Sequence, residues 1–277
     1  MTVTPEIVSR EGAICFPLLG GVTFDPPASF SLFGREIYFY GVIIALAFFV
    51  CMLWCLHNAH LTGMKADDVS DAYLWMMPCA IIGARAYYVL FRWDYFRSHP
   101  GEILAVWEGG LAIYGGIIAG IAAVILVCRH KKISPLAMLD LFSPPLLLGQ
   151  AIGRWRNFFN REAFGAETGI FCRMGLETVY GEMVYVHPTF LYESVWNLTG
   201  FFLLRGFLRS GKRQFDGQCV ALYFLWYGTG RAFIEGLRTD SLLIPSTAIR
   251  VSQLLSVLLA FAGAFTLLRK HEKHEKP

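Results

Sequence analysis

The residues between positions 149 and 165 carry a large amount of polar chemistry for the apolar chain around them. The stretch GQAIGRWRNFFNREAFG follows the apolar run LDLFSPPLLL. A guanidinium is a planar fork of donors that grips a phosphate at two atoms and keeps its proton, and an amide adds neutral donors and acceptors. Such a group is suited to holding an anionic head group. Its polar members are Arg154, Arg156, Asn157, Asn160, Arg161 and Glu162.

Ionisable side chains also lie inside two other apolar segments, where they are expensive in lipid and usually functional. Arg85 stands in IIGARAYY, and Arg231 and Glu235 stand in YGTGRAFIEGLRTD. Residues four apart share a helix face, so we expect Arg231 and Glu235 to pair. Arg238 lies three residues further along that face. The alternative is that these groups form a buried structural ion pair that only holds helices together.

Glycine pairs flank one polar side chain in EGGLAIYGGIIAG. Gly109 and Gly110 precede Tyr114, and Gly115 and Gly116 follow it. Glycine lets a ligand or another backbone come close, which makes Tyr114 a candidate site residue. The alternative is an ordinary aromatic residue at the membrane–water interface.

The composition predicts the elements that must position these side chains. The chain is 55% hydrophobic and only 16% charged, whereas soluble domains are about 25% charged. The apolar residues form blocks near the ~20 residues that a helix needs to cross a bilayer, and the alternation typical of a β-barrel is absent. We therefore predict an all-α integral membrane protein with about seven transmembrane helices. The blocks are 38–57, 72–91, 111–128, 135–153, 188–208, 217–235 and 249–268.

Short loops between these blocks favour one membrane domain, at 38–269, with an external loop at about 153–187. The first twenty residues do not have the pattern of a removable signal peptide, and we expect residues 1–37 to form an extracytoplasmic or interfacial arm. If seven helices cross the membrane, every lysine falls on one side, which predicts that this side is cytoplasmic. The N-terminus is then outside, and residues 270–277 form a basic cytoplasmic tail. The arm and the loop make up an external head region.

Several kinds of site are disfavoured. The seven cysteines are scattered without metal-ligand spacing, so we expect no metal. The DDVSD run at 67–71 resembles a magnesium–diphosphate motif, but it occurs once and precedes an apolar helix, so we expect it to cap that helix. A net charge of +3 without a basic domain argues against nucleic acid.

The polar stretch resembles the signature of the bacterial prolipoprotein diacylglyceryl transferases, G-R-x-x-N-F-x-N-x-E-x-x-G, through Gly153, Arg154, Asn157, Phe158, Asn160, Glu162 and Gly165. Other segments follow in the family's order from about 34 to 268. They are Tyr40-Gly41, GARAYYVLF at 83–91, EGGLAIYGG at 108–116, HPTFLYES at 187–194 and GRAFIEGLRTD at 230–240.

The resemblance implies a transferase of the bacterial cytoplasmic (inner) membrane whose active site faces outward. Such an enzyme moves the diacylglyceryl group of phosphatidylglycerol to the lipobox cysteine in the signal peptide of a prolipoprotein. A thioether forms and glycerol phosphate is released, without a metal or an organic cofactor. The partners implied are phosphatidylglycerol, the prolipoprotein signal peptide and the surrounding membrane lipids.

On this basis we expect Arg154, and then Arg231, to stabilise charge on the departing phosphate. Asn157 and Asn160 would orient the head group, and Glu162 and Glu235 would hold arginines in place. Tyr114, or less favourably Glu162, would assist formation of the thiolate. The full set of predicted site residues is Arg154, Tyr114, Arg231, Asn157 and Glu162 for catalysis, and Arg154, Asn157, Asn160, Tyr40, Arg85, Gly165, Glu235 and Arg238 for binding phosphatidylglycerol.

Two positions depart from the family's common pattern. Many relatives have histidine where this chain has Tyr114, and tyrosine, with a reference pKa of ~10, is a poor base. Relatives commonly have glycine where this chain has Arg156. The added arginine either strengthens head-group binding or faces solvent. A transporter or lipid-binding channel with an arginine-lined passage is the alternative function, and a prenyl transferase is a third, disfavoured by the single acidic motif.

Overall fold

The computed structural model describes residues 7–9, 12–244, 247 and 249–275. The chain is mostly helical, with six short strands beside its helices. The helices are α1 Phe39–Asn58, α2 Ala66–Phe91, α3 Trp93–Phe96, α4 Ile113–Lys131, α5 Pro135–Gly153, α6 Trp155–Asn160, α7 Thr189–Arg209, α8 Gln218–Glu235 and α9 Val251–Glu275. The strands are β1 Ile14–Phe16, β2 Val22–Phe24, β3 Ser29–Leu32, β4 Arg35–Tyr38, β5 Met174–Glu177 and β6 Met183–Val186.

Each of the seven predicted blocks forms a long helix, and the observed ends lie within a few residues of the predicted ones except at the start of α2 and the end of α9. Among the described residues, five stretches are long and apolar enough to cross a membrane, and they contain α1, α2, α4, α5 and α9. The helices α7 and α8 are not among these stretches, and each carries a buried carboxylate, Glu193 in α7 and Glu235 in α8. The chain is therefore a multi-pass helical membrane protein.

The chain divides into two compact units. The first is made of the residues up to Cys51 and from Phe142 onward, and the second is Met52–Leu141.

In the second unit, α2 and α4 pack backbone to backbone. A Cβ atom at Gly83 would collide with the side chain of Ala119 and with the carbonyl oxygen of Gly115, and a Cβ at Gly115 would collide with the carbonyl oxygen of Gly83. Only glycine permits such a close approach of two helices. The sequence left open whether the glycines beside Tyr114 make room for a ligand or for another backbone. At Gly115 the neighbour is the backbone of α2.

The acidic run DDVSD lies at the start of α2, as predicted. The backbone N–H of Lys65 donates to Asp68 at 3.4 Å, a capping interaction. The Lys131 ammonium, at the end of α4, lies 3.0 Å from an Asp68 oxygen and 2.6 Å from an Asp71 oxygen. These carboxylates therefore cap one helix and tie it to the next.

The prediction of an all-α fold was incomplete, because the first unit contains a four-stranded antiparallel sheet in the order β2-β1-β5-β6. Its core consists of Val8, Ile14, Phe164, Met174, Leu176, Val186 and Phe190. The sheet joins the N-terminal arm to the loop before α7, through the pairing of Ile14 with Leu176. Strands of three or four residues are too short for an alternation pattern to be visible in sequence.

The close approach of α2 and α4 predicts that Gly115→Ala destabilises the protein by about 1–3 kcal/mol, the usual penalty of overpacking. The measurement is thermal unfolding of the purified protein in detergent. Gly120→Ala on the same helix is the control, because its added methyl group would lie at an ordinary 3.5 Å from Met76. Equal melting temperatures for the two variants would contradict the tight Gly83–Gly115 contact.

Candidate active site

A buried carboxylate holds two arginines together at the centre of the candidate site. Glu193, in the second turn of α7, places Oε1 at 2.5 Å from Nη2 of Arg154 and Oε2 at 2.7 Å from Nη1 of Arg231. Its side chain is only 3% exposed. Two guanidinium groups thus share one carboxylate, each using a different oxygen.

A second carboxylate completes this cluster. Nη2 of Arg231 lies 2.5 Å from Oε2 of Glu235, four residues along α8, which confirms the predicted i,i+4 pair. Two positive and two negative side chains make the cluster neutral, as burial requires. Arg154 is the more open of the two arginines, with 20% of its side chain exposed against 11% for Arg231.

Three helices must meet correctly for this cluster to form. Arg154 lies at the junction where α5 ends at Gly153 and α6 begins at Trp155. A reciprocal tryptophan pair joins α7 and α8. The indole N–H of Trp196 donates to the carbonyl oxygen of Trp226, the indole N–H of Trp226 donates back to that of Trp196, and both distances are 3.0 Å. The two rings stack at 4.4 Å. This contact sets the spacing between Glu193 on one helix and its partner on the other.

Glycines make room for the tryptophan pair. A Cβ at Gly200 would collide with the indole of Trp226, and a Cβ at Gly230 would collide with the indole of Trp196. Gly230 directly precedes Arg231. The sequence GTGRAFIE therefore combines the space needed for close helix packing with the charged residues of the cluster.

The remaining residues of the signature lie on α6 and just after it. Asn157 is buried, and its side-chain oxygen has no hydrogen-bond partner within the described residues. Buried amide oxygens normally accept a hydrogen bond, so this one is available to a donor of a ligand. Nδ2 of Asn160 lies 3.4 Å from Oε1 of Glu162. Glu162 in turn lies 3.9 Å from Nη2 of Arg156, so its arginine contact is with Arg156.

Arg156 does not simply face solvent. Its guanidinium carbon lies 5.0 Å from the ring centre of Tyr40, a cation–π contact. Tyr40 is in the first turn of α1 and is 43% exposed. Two predicted binding elements, the start of α1 and the signature on α6, are thereby brought together.

Gly165 and Arg238 meet through their backbones rather than at the arginine cluster. They form an isolated antiparallel bridge, and the N–H of Gly165 donates to the carbonyl oxygen of His187 at 2.9 Å. A Cβ at Gly165 would lie 2.7 Å from that of His187, so no larger residue fits.

The Arg238 guanidinium donates two hydrogen bonds to Asp240, at 2.9 and 2.8 Å. Burial alone would raise the pKa of Asp240, but these bonds and the charge of Arg238 outweigh it and hold that pKa below its ordinary value. The Asp240 carboxylate therefore stays charged and fixes Arg238 beside the bridge at Gly165.

Arg85 and Tyr114 belong to the second unit. The Arg85 guanidinium donates to four backbone carbonyl oxygens over 2.6–3.1 Å. These hydrogen bonds fix the backbone before α4, including both glycines that precede Tyr114. The acceptors are Glu102, Ile103, Gly109 and Gly110. Tyr114 itself is 44% exposed.

Sequence reasoning missed Glu193, which is the central residue of the cluster. It stands in the segment HPTFLYES and is the only acidic residue of α7, and an ionisable residue inside an apolar helix is a signal of function. Asp240, the partner of Arg238, was also missed. Within the described part of the chain, no three His, Cys, Asp or Glu side chains converge where a metal ion would sit.

A fixed guanidinium pair of this kind stabilises negative charge that develops beside it, because its donors need no reorganisation at the moment of reaction. The fold and the site define a multi-pass helical membrane protein with a charge-balanced arginine–glutamate cluster built around one shared carboxylate. The model of the prolipoprotein diacylglyceryl transferase family matches residues 27–269. The chain belongs to that family.

Relatives are similar over most of their length. The phosphatidylglycerol–prolipoprotein diacylglyceryl transferase of Lactiplantibacillus plantarum is 42% identical over 253 residues, which cover 88% of this chain and 89% of the relative. The proteins of the same name from Finegoldia magna and Streptococcus equi subsp. equi are 42% and 39% identical. The aligned regions cover 87% and 89% of this chain, and 94% and 96% of the respective relatives. The family predicted from the motifs is thus confirmed.

The charge balance of the cluster predicts a coupling between Glu193 and Arg231. Glu193→Gln leaves a net positive cluster, and Arg231→Gln leaves a net negative one, so each variant is destabilised, by up to about 3–5 kcal/mol. The double variant is neutral again. We expect its loss of stability to be smaller than the sum of the single losses by about 1–3 kcal/mol in a double-mutant cycle of thermal unfolding.

The control for that cycle is the exposed ion pair of Asp94 and Arg97, whose nearest atoms are 3.6 Å apart. Asp94→Asn and Arg97→Gln should leave stability unchanged, singly and together. Strict additivity of Glu193→Gln and Arg231→Gln would show that the shared carboxylate does not couple the two residues.

Proposed function

We propose that the chain transfers the diacylglyceryl group of phosphatidylglycerol to the lipobox cysteine of a prolipoprotein. The sulfur of the cysteine thiolate attacks the carbon of the diacylglyceryl group that is bound through oxygen to the phosphate. A C–S bond forms, the C–O bond to the phosphate breaks with its electron pair, and glycerol phosphate leaves. The thiol proton passes to water when the thiolate forms, so the products are the thioether, glycerol phosphate and one proton. The observation that carries the proposal is the Arg154–Glu193–Arg231 bridge, which includes the signature arginine of a family whose members are named for this reaction.

Arg154 binds the phosphate in this proposal, with Arg231 supporting it. Arg154 faces Glu193 through Nη2, and its other donors and its exposed fraction are left for the lipid. As the C–O bond breaks, charge accumulates on the phosphate, and a fixed guanidinium lowers the energy of that state. Glu193 and Glu235 brace the arginines, because a carboxylate aimed at the phosphate would repel it.

Around this centre the signature residues hold the head group. The unpartnered oxygen of Asn157 accepts a hydrogen bond from a glycerol hydroxyl. Asn160 and Glu162, together with Tyr40 under Arg156, form a polar edge where the head group enters. Gly165 and Arg238 position this region through the backbone.

Arg85 acts by fixing the glycines before Tyr114, in keeping with its four carbonyl contacts. Tyr114 assists the thiol through its hydroxyl, as a hydrogen-bonding group rather than as a base.

The topology proposed with this function has seven transmembrane helices, α1, α2, α4, α5, α7, α8 and α9, in the bacterial cytoplasmic membrane. The N-terminus and the site are extracytoplasmic, and the C-terminus is cytoplasmic. The lysine asymmetry supports this orientation. It places the sheet of β1, β2, β5 and β6 outside, beside the site. The family match leaves the transporter and prenyl transferase alternatives without support.

The direct test uses purified protein in detergent with phosphatidylglycerol and a lipobox peptide. We expect a thioether-linked diacylglyceryl peptide and glycerol phosphate in equal amounts, with a chelator present throughout. Mass spectrometry detects both products. A peptide whose cysteine is replaced by serine is the control and should remain unmodified. Release of diacylglycerol without the thioether would contradict the proposed transfer.

Arg154→Ala should lower kcat/KM by at least about 10²–10³-fold, the usual loss when one donor to a developing anion is removed. Arg154→Lys should be nearly as slow, because an ammonium keeps the charge but not the planar fork that binds phosphate at two atoms. The control is Arg97→Lys, on an exposed arginine, and thermal unfolding checks the fold of each variant. Full activity of Arg154→Lys would mean that charge alone suffices.

Tyr114→Phe removes the hydroxyl but keeps the aromatic ring, so it tests the contribution of the hydroxyl alone. If the hydroxyl assists the thiol, we expect kcat to fall while the KM for phosphatidylglycerol changes little, since the ring and the exposed surface are retained. The initial rate at saturating lipid is the measurement. An unchanged kcat would assign Tyr114 to packing alone, and Tyr88→Phe, on a ring that contacts Arg85, serves as the aromatic control.

A further inference from the structure

The hairpin of β3 and β4 is amphipathic. Its register pairs Phe30 with Ile37 and Leu32 with Arg35 on one face, and Ser29 with Tyr38 and Ser31 with Glu36 on the other. Directly opposed residues of an antiparallel pair point to the same side. One face is therefore apolar with a single arginine at its end, and the other is polar.

The tip of this hairpin carries an aromatic ring in an unusual place. The two turn residues, Phe33 and Gly34, both have positive φ, 52° and 76°. Asn, Asp and Gly adopt this conformation readily, whereas a bulky residue there is strained. Phe33 is nevertheless 97% exposed. A large ring held in a costly conformation and left uncovered by the described part of the chain indicates a partner outside the chain.

The hairpin also needs a partner for its stability. It is a separate two-stranded sheet, and such a pair is marginal in water unless its apolar face is covered. Its base is held, because the ring of Phe30 lies 5.3 Å from that of Phe39 and Phe39 stacks on Phe159 at 5.1 Å. Leu32, nearer the tip, is 45% exposed.

The position of the hairpin identifies what covers it. β4 ends at Tyr38 and α1 begins at the next residue, Phe39, so no linker separates the hairpin from a helix that can span the membrane. The strand from Tyr38 to the tip is about 16 Å long, at ~3.3 Å per residue. This length lets the tip reach the lipid head groups and the acyl boundary if the hairpin lies along the bilayer surface.

We propose that the β3–β4 hairpin is a membrane-inserted anchor, with Phe33 and Leu32 at the acyl boundary and Arg35 on a lipid phosphate. Aromatic and aliphatic side chains next to a single cation are the composition of surfaces that lie in the bilayer interface. The lipid is favoured over a peptide because it is always present where α1 enters the bilayer. This inference rests on the proposed membrane placement of the chain and not on its catalytic activity.

Photocrosslinking from position 33 tests this proposal. The full-length protein carries p-benzoyl-phenylalanine in place of Phe33, in lipid nanodiscs of defined phospholipids without any peptide, and mass spectrometry identifies the adducts after irradiation. We expect phospholipid adducts. The same residue in place of Ser31, on the polar face, is the control and should give several-fold less. Phospholipid yields at 33 no higher than at 31, or a crosslink to a second copy of the chain, would overturn the proposal.

A second readout covers the case in which the larger side chain disturbs the turn. Phe33→Trp should add fluorescence that lipids brominated along their chains quench, whereas Ser31→Trp should be quenched no more than the wild-type background. Equal quenching of the two added tryptophans would refute insertion. Transfer activity is assayed on the same samples, so that loss of the reaction with retained lipid contact would count against the proposed function alone.

Discussion

The site depends on one buried carboxylate. Glu193 receives Arg154 at one oxygen and Arg231 at the other, and without it two like charges would face each other in a medium that screens poorly. Burying four ionised groups is expensive and gives little net stability. The arrangement instead fixes two guanidinium groups in place before any substrate arrives, which is the condition for stabilising charge in a reaction at low cost.

Local spacing was enough to predict a good part of this structure. The apolar blocks predicted all seven long helices, because a membrane helix must be apolar over ~20 residues. The i,i+4 rule gave the pair of Arg231 and Glu235. Such features depend only on residues near one another in the chain. The signature from Gly153 to Gly165 is local in the same way, and it predicted the family.

The rest depends on residues that are distant in sequence. Glu193 stands 39 positions after Arg154 and 38 before Arg231, and no periodicity connects them. The sheet joins Ile14 to Leu176, and its strands are too short to show a pattern. The backbone acceptors of Arg85 are likewise invisible in sequence, since every residue has a carbonyl group. Tertiary packing fixes these contacts, and between α7 and α8 it does so through the reciprocal pairing of Trp196 and Trp226.

The neutrality of the cluster bears on how the proposed lipid approaches it. A phosphate nearing Glu193 or Glu235 meets negative charge, whereas one nearing the exposed edge of Arg154 meets a guanidinium whose far side is already bound. In the proposed function the carboxylates therefore brace the arginines, and the exposed edge of Arg154 is left for the phosphate. Arg156, which departs from the common family pattern, is held over Tyr40 and adds a further guanidinium to α6, the helix that follows Arg154.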